Sequence, residues 1–240
     1  MMENNQEKSV TLWNKVLETS LKLPFVNVNR EEFLTKELSK FCTPMEVMTA
    51  LDDSPVKVLD KKEIDKLANQ CISYHLTMVC GTSALMGLPG GWWMAGSIPA
   101  DITQFYGHIL SLMQKLIYIY GWPSLTDVNK QLDDESLNIM TLFVGAMMGN
   151  KLAVEALTKV VGQVSKNAGI KISETVMAQY AIKIAQWIGI NMTKEGFAKG
   201  VGKVIPLVGA PISATITYYT FRPMARRLKK HLDELYEMRH

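Results

Sequence analysis

The feature that most constrains this chain is a run of 59 residues, positions 67–125, with only two charged side chains, Asp101 and Lys115. Charge is plentiful elsewhere, since the first 66 residues carry 12 acidic and 10 basic side chains. A monomeric soluble protein rarely exposes so large an apolar surface to water. We therefore expect this run to form core, a partner interface or a lipid-facing surface.

Composition excludes several classes of protein. A hydrophobic fraction of 48% with 20% charged residues excludes disorder, and a net charge of +3 is too small to indicate nucleic-acid binding. Three cysteines without a CxxC pair favour neither a disulfide scaffold nor structural zinc. The first ten residues contain no apolar signal segment, so we expect a cytoplasmic protein. We expect no cofactor and no metal.

The middle of the low-charge run is rich in helix-breaking residues. Between positions 80 and 102 it contains five glycines and two prolines, and Pro89-Gly90-Gly91 would interrupt a membrane-spanning helix. The pattern predicts a helical hairpin with Trp92 and Trp93 at its tip. Paired tryptophans are typical of a bilayer interface, and they also occur in buried turns.

Apolar residues recur at helical spacing along most of the chain, and no alternating pattern indicates a strand. We therefore predict an all-α, multi-helix single domain with Gly- and Pro-rich apolar hairpins. A weak similarity between positions 100–105 and 214–219 suggests that two hairpins form a pseudo-pair. The nine to eleven predicted helices include 30–41, 60–86, 99–120, 133–148, 151–166, 173–188, 193–203 and 211–238.

Two local signals refine this prediction. Asp60 and Glu63 form the D-x-x-E pattern of a capping box, which marks the start of the long helix 60–86. Gly121, followed by Pro123, marks the end of the helix that Pro99 opens. Residues 1–55 are charged enough to form a helical cap separate from the domain at 56–240.

Motifs in both halves of the chain resemble the EcsC family. In the first half these are the Gly-rich apolar turn, Pro99-Ala-Asp101 and Tyr120-Gly121. In the second half they are the IPLVGAP stretch at 205–211 and the basic segment around Ala225. The resemblance spans about residues 56–235. It implies a bacterial, helical protein at the cytoplasmic membrane, accessory to a transport or secretion process. It implies no catalytic residue, and Trp92-Trp93 departs from the family pattern.

Polar side chains line one side of the predicted helix 99–120. They are Asp101, Gln104, His108, Ser111 and Lys115. Such a row can line a ligand pocket, for which we take Asp101, Gln104 and His108 as candidates. Alternatively, the first-turn position of Asp101 is explained by the helix dipole alone. His75 on the preceding helix could approach His108, although single histidines on apolar faces usually belong to the core.

The C-terminal region combines an apolar run with a basic cluster. Residues 204–221 carry no charge, and five basic residues follow: Arg222, Arg226, Arg227, Lys229 and Lys230. This order is typical of a cytoplasmic membrane face, where each basic residue contributes about 1 kcal/mol on anionic lipid. A core helix entering solvent, with its basic residues paired to Asp233 and Glu234, explains the same pattern.

These observations favour a non-enzymatic, membrane-associated or lipid-interacting protein of EcsC type. Trp92 and Trp93 would anchor it, the basic cluster would bind anionic lipid, and the partner would be membrane lipid or a membrane protein. The alternative is a soluble helical protein whose internal apolar pocket binds or processes a small lipid-like molecule. A third hypothesis is a module that binds a helical partner. No nucleic-acid partner is expected.

Overall fold

A computed structural model of the protein describes residues 2–86, 100–125, 133–163, 174–192 and 212–238. Over these ranges it contains nine α-helices, one short 3-10 helix at Pro55–Lys57 and no strand, which confirms the predicted all-α class. The helices are α1 Met2–Leu21, α2 Arg30–Leu38, α3 Pro44–Asp52, α4 Lys61–Met86, α5 Ala100–Ile119, α6 Asp134–Met148, α7 Lys151–Gln163, α8 Glu174–Asn191 and α9 Ile212–Glu237.

The predicted signals at helix ends are confirmed. The backbone N–H of Glu63 donates to the Asp60 carboxylate at 2.8 Å, and the Asp60 N–H donates to the Glu63 carboxylate at 2.9 Å. Both arms of the capping box are therefore formed at the start of α4. Gly121 follows α5 with a φ of 81°, a left-handed conformation that glycine adopts without steric cost.

The low-charge run forms the centre of the protein. Along α5, every residue from 106 to 120 is buried except Lys115, which is half-buried. Helices α4, α1 and α9 pack around α5, with α2 and α6 contributing further contacts. This arrangement explains the scarcity of charge in α5, because a helix enclosed on all sides has no solvent face for charged side chains.

Contacts near one end of α4, α5 and α9 fix how these three helices are oriented. Near one end, Lys61 of α4 donates to Asp233 of α9, and Lys229 of α9 donates to Asp65 of α4. The Tyr120 hydroxyl, which follows α5, donates to the same Asp233 carboxylate. The other halves of these helices, 67–86, 100–114 and 212–221, therefore extend together toward the opposite end. Their one charged residue is Asp101. We call this opposite end the low-charge end.

The N-terminal helix packs into the same core as the rest. The Trp13 indole is fully buried, donates to the Thr141 hydroxyl at 3.0 Å and packs edge-on against Tyr106 with ring centroids 5.5 Å apart. Near the end of α1, the Ser20 hydroxyl donates to the Thr103 carbonyl. Within the described residues, segment 1–55 thus shares one hydrophobic core with α5 and α6.

A glycine allows α1 and α8 to cross at very short range. Gly189 lies in α8, two residues before the end of the helix, directly against the backbone of α1. A Cβ atom built on Gly189 would lie 2.0 Å from the Ser9 carbonyl oxygen. Because that neighbour is backbone, no side-chain rotation can relieve the contact, and α1 would have to move away from α8.

We expect Gly189→Ala to lower the free energy of unfolding by about 1–3 kcal/mol, the typical cost of overpacking. The matched control is Gly81→Ala in α4, where an added Cβ meets nothing within 4 Å among the residues that the structure describes. That control should be stabilising by about 0.5–1 kcal/mol, because alanine is the better helix former. Urea unfolding measures both, and equal effects of the two substitutions would contradict the close crossing.

Candidate functional site

A chain of three polar side chains lies between α4 and α5. Nζ of Lys115 is 3.0 Å from Nε2 of His75, and Nδ1 of His75 is 3.3 Å from Nδ1 of His108. His75 and His108 are 2% and 5% exposed. The structure thus brings His75 to His108 across the helix pair and adds Lys115, seven residues further along the same face of α5.

The charge on Lys115 determines the tautomers of both histidines. An ammonium group only donates, so Nε2 of His75 must accept, and the single proton of neutral His75 must sit on Nδ1. Nδ1–H of His75 then donates to Nδ1 of His108, which leaves the His108 proton on Nε2. All hydrogen bonds in the chain therefore run in one direction, away from Lys115, and the formal charge stays on its ammonium group.

Burial keeps both histidines neutral. It lowers the pKa of His75 to about 2 and that of His108 to about 4, and the Lys115 cation acts in the same direction on both. Burial also lowers the pKa of Lys115 itself. The site therefore disfavours a second positive charge, and the one charge that it holds is the Lys115 ammonium group.

Lys115 has no ion-pair partner among the described residues. Its cation lies 5.3 Å from the Tyr74 ring centroid and 6.0 Å from that of Phe33, both within cation–π range. Glu37 raises the pKa of Lys115 through space, but its carboxylate is paired with Lys40 at 2.5 Å. Lys115 is thus a half-buried cation that contacts two aromatic faces and a neutral imidazole and makes no direct ion pair among the described residues.

The other polar residues on this side of α5 differ from one another in how far they are exposed. Gln104 is half-buried, while Ser111 is 1% exposed and its hydroxyl has no hydrogen-bond partner among the described residues. Ser111 lies one turn after His108 and one turn before Lys115, within about 60° of both around the helix axis. Asp101 belongs to the first turn of α5, but its side chain lies outside the described residues.

Phe25 covers the His108 end of this row of three polar side chains. Its ring stacks on that of His108 with centroids 4.7 Å apart, and it is 36% exposed on the segment that joins α1 to α2. Tyr74, at 56% exposure, covers the Lys115 end. The polar chain therefore lies directly beneath a surface made of aromatic side chains, which the sequence pattern did not reveal.

The five basic residues of α9 separate into two groups. Arg222, Arg226 and Lys230 recur every four residues and form one stripe along the helix, with Tyr219 one turn before Arg222. Arg226, Lys230 and Tyr219 are exposed, and the Arg222 guanidinium lies 5.3 Å from the Tyr218 ring. This stripe begins at the low-charge end.

Arg227 and Lys229 are instead used within the fold. Nη1 of Arg227 donates to the Met147 carbonyl at 3.3 Å, where a cation stabilises the C-terminal end of α6. Lys229, with a 16% exposed side chain, pairs with Asp65 and with Asp233. Their place in a lipid-binding patch stays a prediction, although both side chains already make contacts within the fold.

The Lys229 pairs belong to a network that also contains Lys61 and Tyr120. Lys61 contacts Asp65 at 2.6 Å and Asp233 at 2.8 Å, and the Tyr120 hydroxyl donates to Asp233. Burial opposes ionisation of Asp233, but the hydrogen bonds from Lys61, Tyr120 and Lys229 outweigh it and lower its pKa. The sequence shows the i,i+4 pairs within each helix but not the pairing between helices.

The described residues contain no group of three or more potential metal ligands, and none of their helices is both long and apolar enough to cross a membrane. Trp92 and Trp93, together with the predicted helix 193–203, lie outside the described residues. No family model, curated protein or solved structure matches this chain. The resemblance to the EcsC family therefore stays a prediction.

The buried histidines make stability depend on pH. They bind protons near pH 6.5 when unfolded but only at much lower pH when folded, so the unfolded state takes up more protons as pH falls. Between pH 6.5 and about pH 5, each should reduce the free energy of unfolding by about 1.4 kcal/mol per pH unit.

Urea unfolding of the double variant His75→Gln/His108→Gln tests this expectation. The variant should show a flatter dependence on pH than the parent protein. Part of the slope should persist, because burial also lowers the pKa of His231. An unchanged slope in the double variant would show that the pair is not buried as described.

Proposed function

We propose that this protein is a non-enzymatic, peripheral membrane protein of EcsC type, accessory to a transport or secretion process. In this proposal, the low-charge end meets the bilayer and the exposed stripe of α9 binds anionic headgroups. The observation that carries it is the joint orientation of α4, α5 and α9, which places three nearly charge-free helix segments at one end of the protein. The family and the process rest on the resemblance alone.

The order of side chains along α9 supports this orientation. Tyr219 is 54% exposed beside the low-charge end, and Arg222, Arg226 and Lys230 follow at successive turns. Tyrosine prefers the headgroup level of a membrane, and basic residues just beyond it are attracted to anionic lipid. Exposed Lys22, two residues after Ser20, adds positive charge near Thr103 at the same end.

The opposite end provides an internal contrast. Arg30 there donates to the carbonyls of Leu51 and Trp122, which fixes α3 beside the end of α5. Met45 and Met48 on α3 are 72% and 58% exposed, so apolar exposure alone does not distinguish the two ends. What distinguishes them is charge, because acidic and basic residues are mixed around α3, whereas the segments of α4, α5 and α9 at the low-charge end carry only Asp101.

Neutralising the stripe should weaken binding to anionic vesicles. With about 1 kcal/mol for each basic residue, Arg222→Gln/Arg226→Gln/Lys230→Gln should reduce the partition coefficient on phosphatidylglycerol-containing vesicles about a hundredfold. The matched control is Lys57→Gln/Lys62→Gln/Lys66→Gln, which removes the same charge from exposed residues of the 3-10 helix and the first turns of α4 instead of from α9. Flotation at low and high salt measures both variants.

The control triple variant should bind nearly as well as the parent protein, and high salt should weaken the parent more than the stripe variant. Equal losses in the two triple variants would mean that net charge, rather than this surface, determines binding. Failure of the parent protein to float with anionic vesicles at either salt concentration would refute the proposed function.

A further inference from the structure

We infer that Lys115, held by the His75–His108 pair, is a binding site for the carboxylate of a medium- or long-chain fatty acid. The acyl chain would lie along the exposed apolar strip of α4. This inference concerns a monomeric ligand in solution and does not depend on membrane association.

The first argument is the missing counter-charge. Lys115 is largely enclosed, and no carboxylate among the described residues pairs with it. Enclosed charges are normally paired, because removing them from water costs several kcal/mol unless an opposite charge or hydrogen bonds replace the solvent. Of the three N–H groups of its ammonium, one is directed to His75, which leaves two for oxygen atoms of a ligand.

The second argument is that the surrounding groups favour one anionic group rather than several. The neutral histidines add no charge, and the buried Ser111 hydroxyl, one turn before Lys115 on α5, has no hydrogen-bond partner in the part of the chain that the structure describes. One cation with one additional hydroxyl matches a monoanionic carboxylate. A phosphate dianion would need more donors than these residues provide.

The third argument is the apolar strip that begins at Tyr74. Tyr74, Met78 and Gly81 follow one another at spacings of four and three residues, so they share one face of α4. Tyr74 and Met78 are 56% and 41% exposed, and a Cβ built on Gly81 would meet no atom of the described residues within 4 Å. The strip starts at the ring that contacts Lys115 and runs toward the low-charge end, which suits a carboxylate with an apolar chain.

Isothermal titration calorimetry with decanoate below its micellar concentration tests the inference. We expect decanoate to bind the parent protein and Lys115→Met to bind it about 10- to 100-fold more weakly, as for loss of a charge-assisted hydrogen bond. Lys115→Met should stay folded, because it removes an unpaired cation and keeps a long apolar side chain. Acetate and decan-1-ol, which provide the charge or the chain alone, should bind far more weakly than decanoate.

The matched control is Lys159→Met. Nζ of Lys159 also lies 5.3 Å from a tyrosine ring, that of Tyr180, at the rim of a cavity of about 110 Å³ between α6, α7 and α8. This variant should bind decanoate like the parent protein. Affinity in the parent should fall as pH rises through the lowered pKa of Lys115, since only the ammonium form binds a carboxylate.

Three results would overturn the inference. The first is no binding of decanoate to the parent protein, and the second is equal binding of decanoate and decan-1-ol. The third is a failure of the variants to differ: either Lys115→Met binds decanoate within threefold of the parent affinity, or Lys159→Met lowers the affinity as much as Lys115→Met does. Vesicle flotation is measured without fatty acid, so a failure here and a failure of the proposed function are distinguishable.

Discussion

The enclosure of α5 determines how the other helices are arranged. A 20-residue helix that carries two charges must be covered on nearly every side, and α4, α1 and α9 provide most of that cover. Because α5 is central, its few polar residues cannot reach water freely and must find partners inside the protein. Gln114 does so through the backbone of Val26 and Val28, while Lys115 and His108 do so through His75.

The ion-pair network between α4 and α9 determines which ends of these helices coincide. Asp65 contacts both Lys61 and Lys229, and Asp233 contacts the same two lysines, so a shift of one helix turn would break contacts on both sides. A partly buried network of this kind contributes more to register than to net stability. By fixing the register, it also concentrates the charge-free helix halves at the other end of the protein.

Much of the fold could be predicted from the sequence because its signals are local. The capping box at Asp60 and the helix end at Gly121 each depend on residues close together in the chain. The polar chain depends on contacts between α4 and α5, for which His75 gave only a weak indication. The tight crossing at Gly189 and the pairing of Lys229 with Asp65 depend on three-dimensional register, which spacing within one helix does not determine.

The central claim, that the low-charge end faces the bilayer, is tested most directly by the depth of single spin labels. Nitroxides are placed at Tyr219→Cys and at Met45→Cys, two exposed positions at opposite ends, in a background with Cys42, Cys71 and Cys80 replaced by alanine or serine. On anionic vesicles, the label at 219 should gain accessibility to oxygen and lose accessibility to a water-soluble nickel complex, while the label at 45 stays unchanged. Equal changes at both positions, or lipid exposure of position 45 alone, would contradict the account.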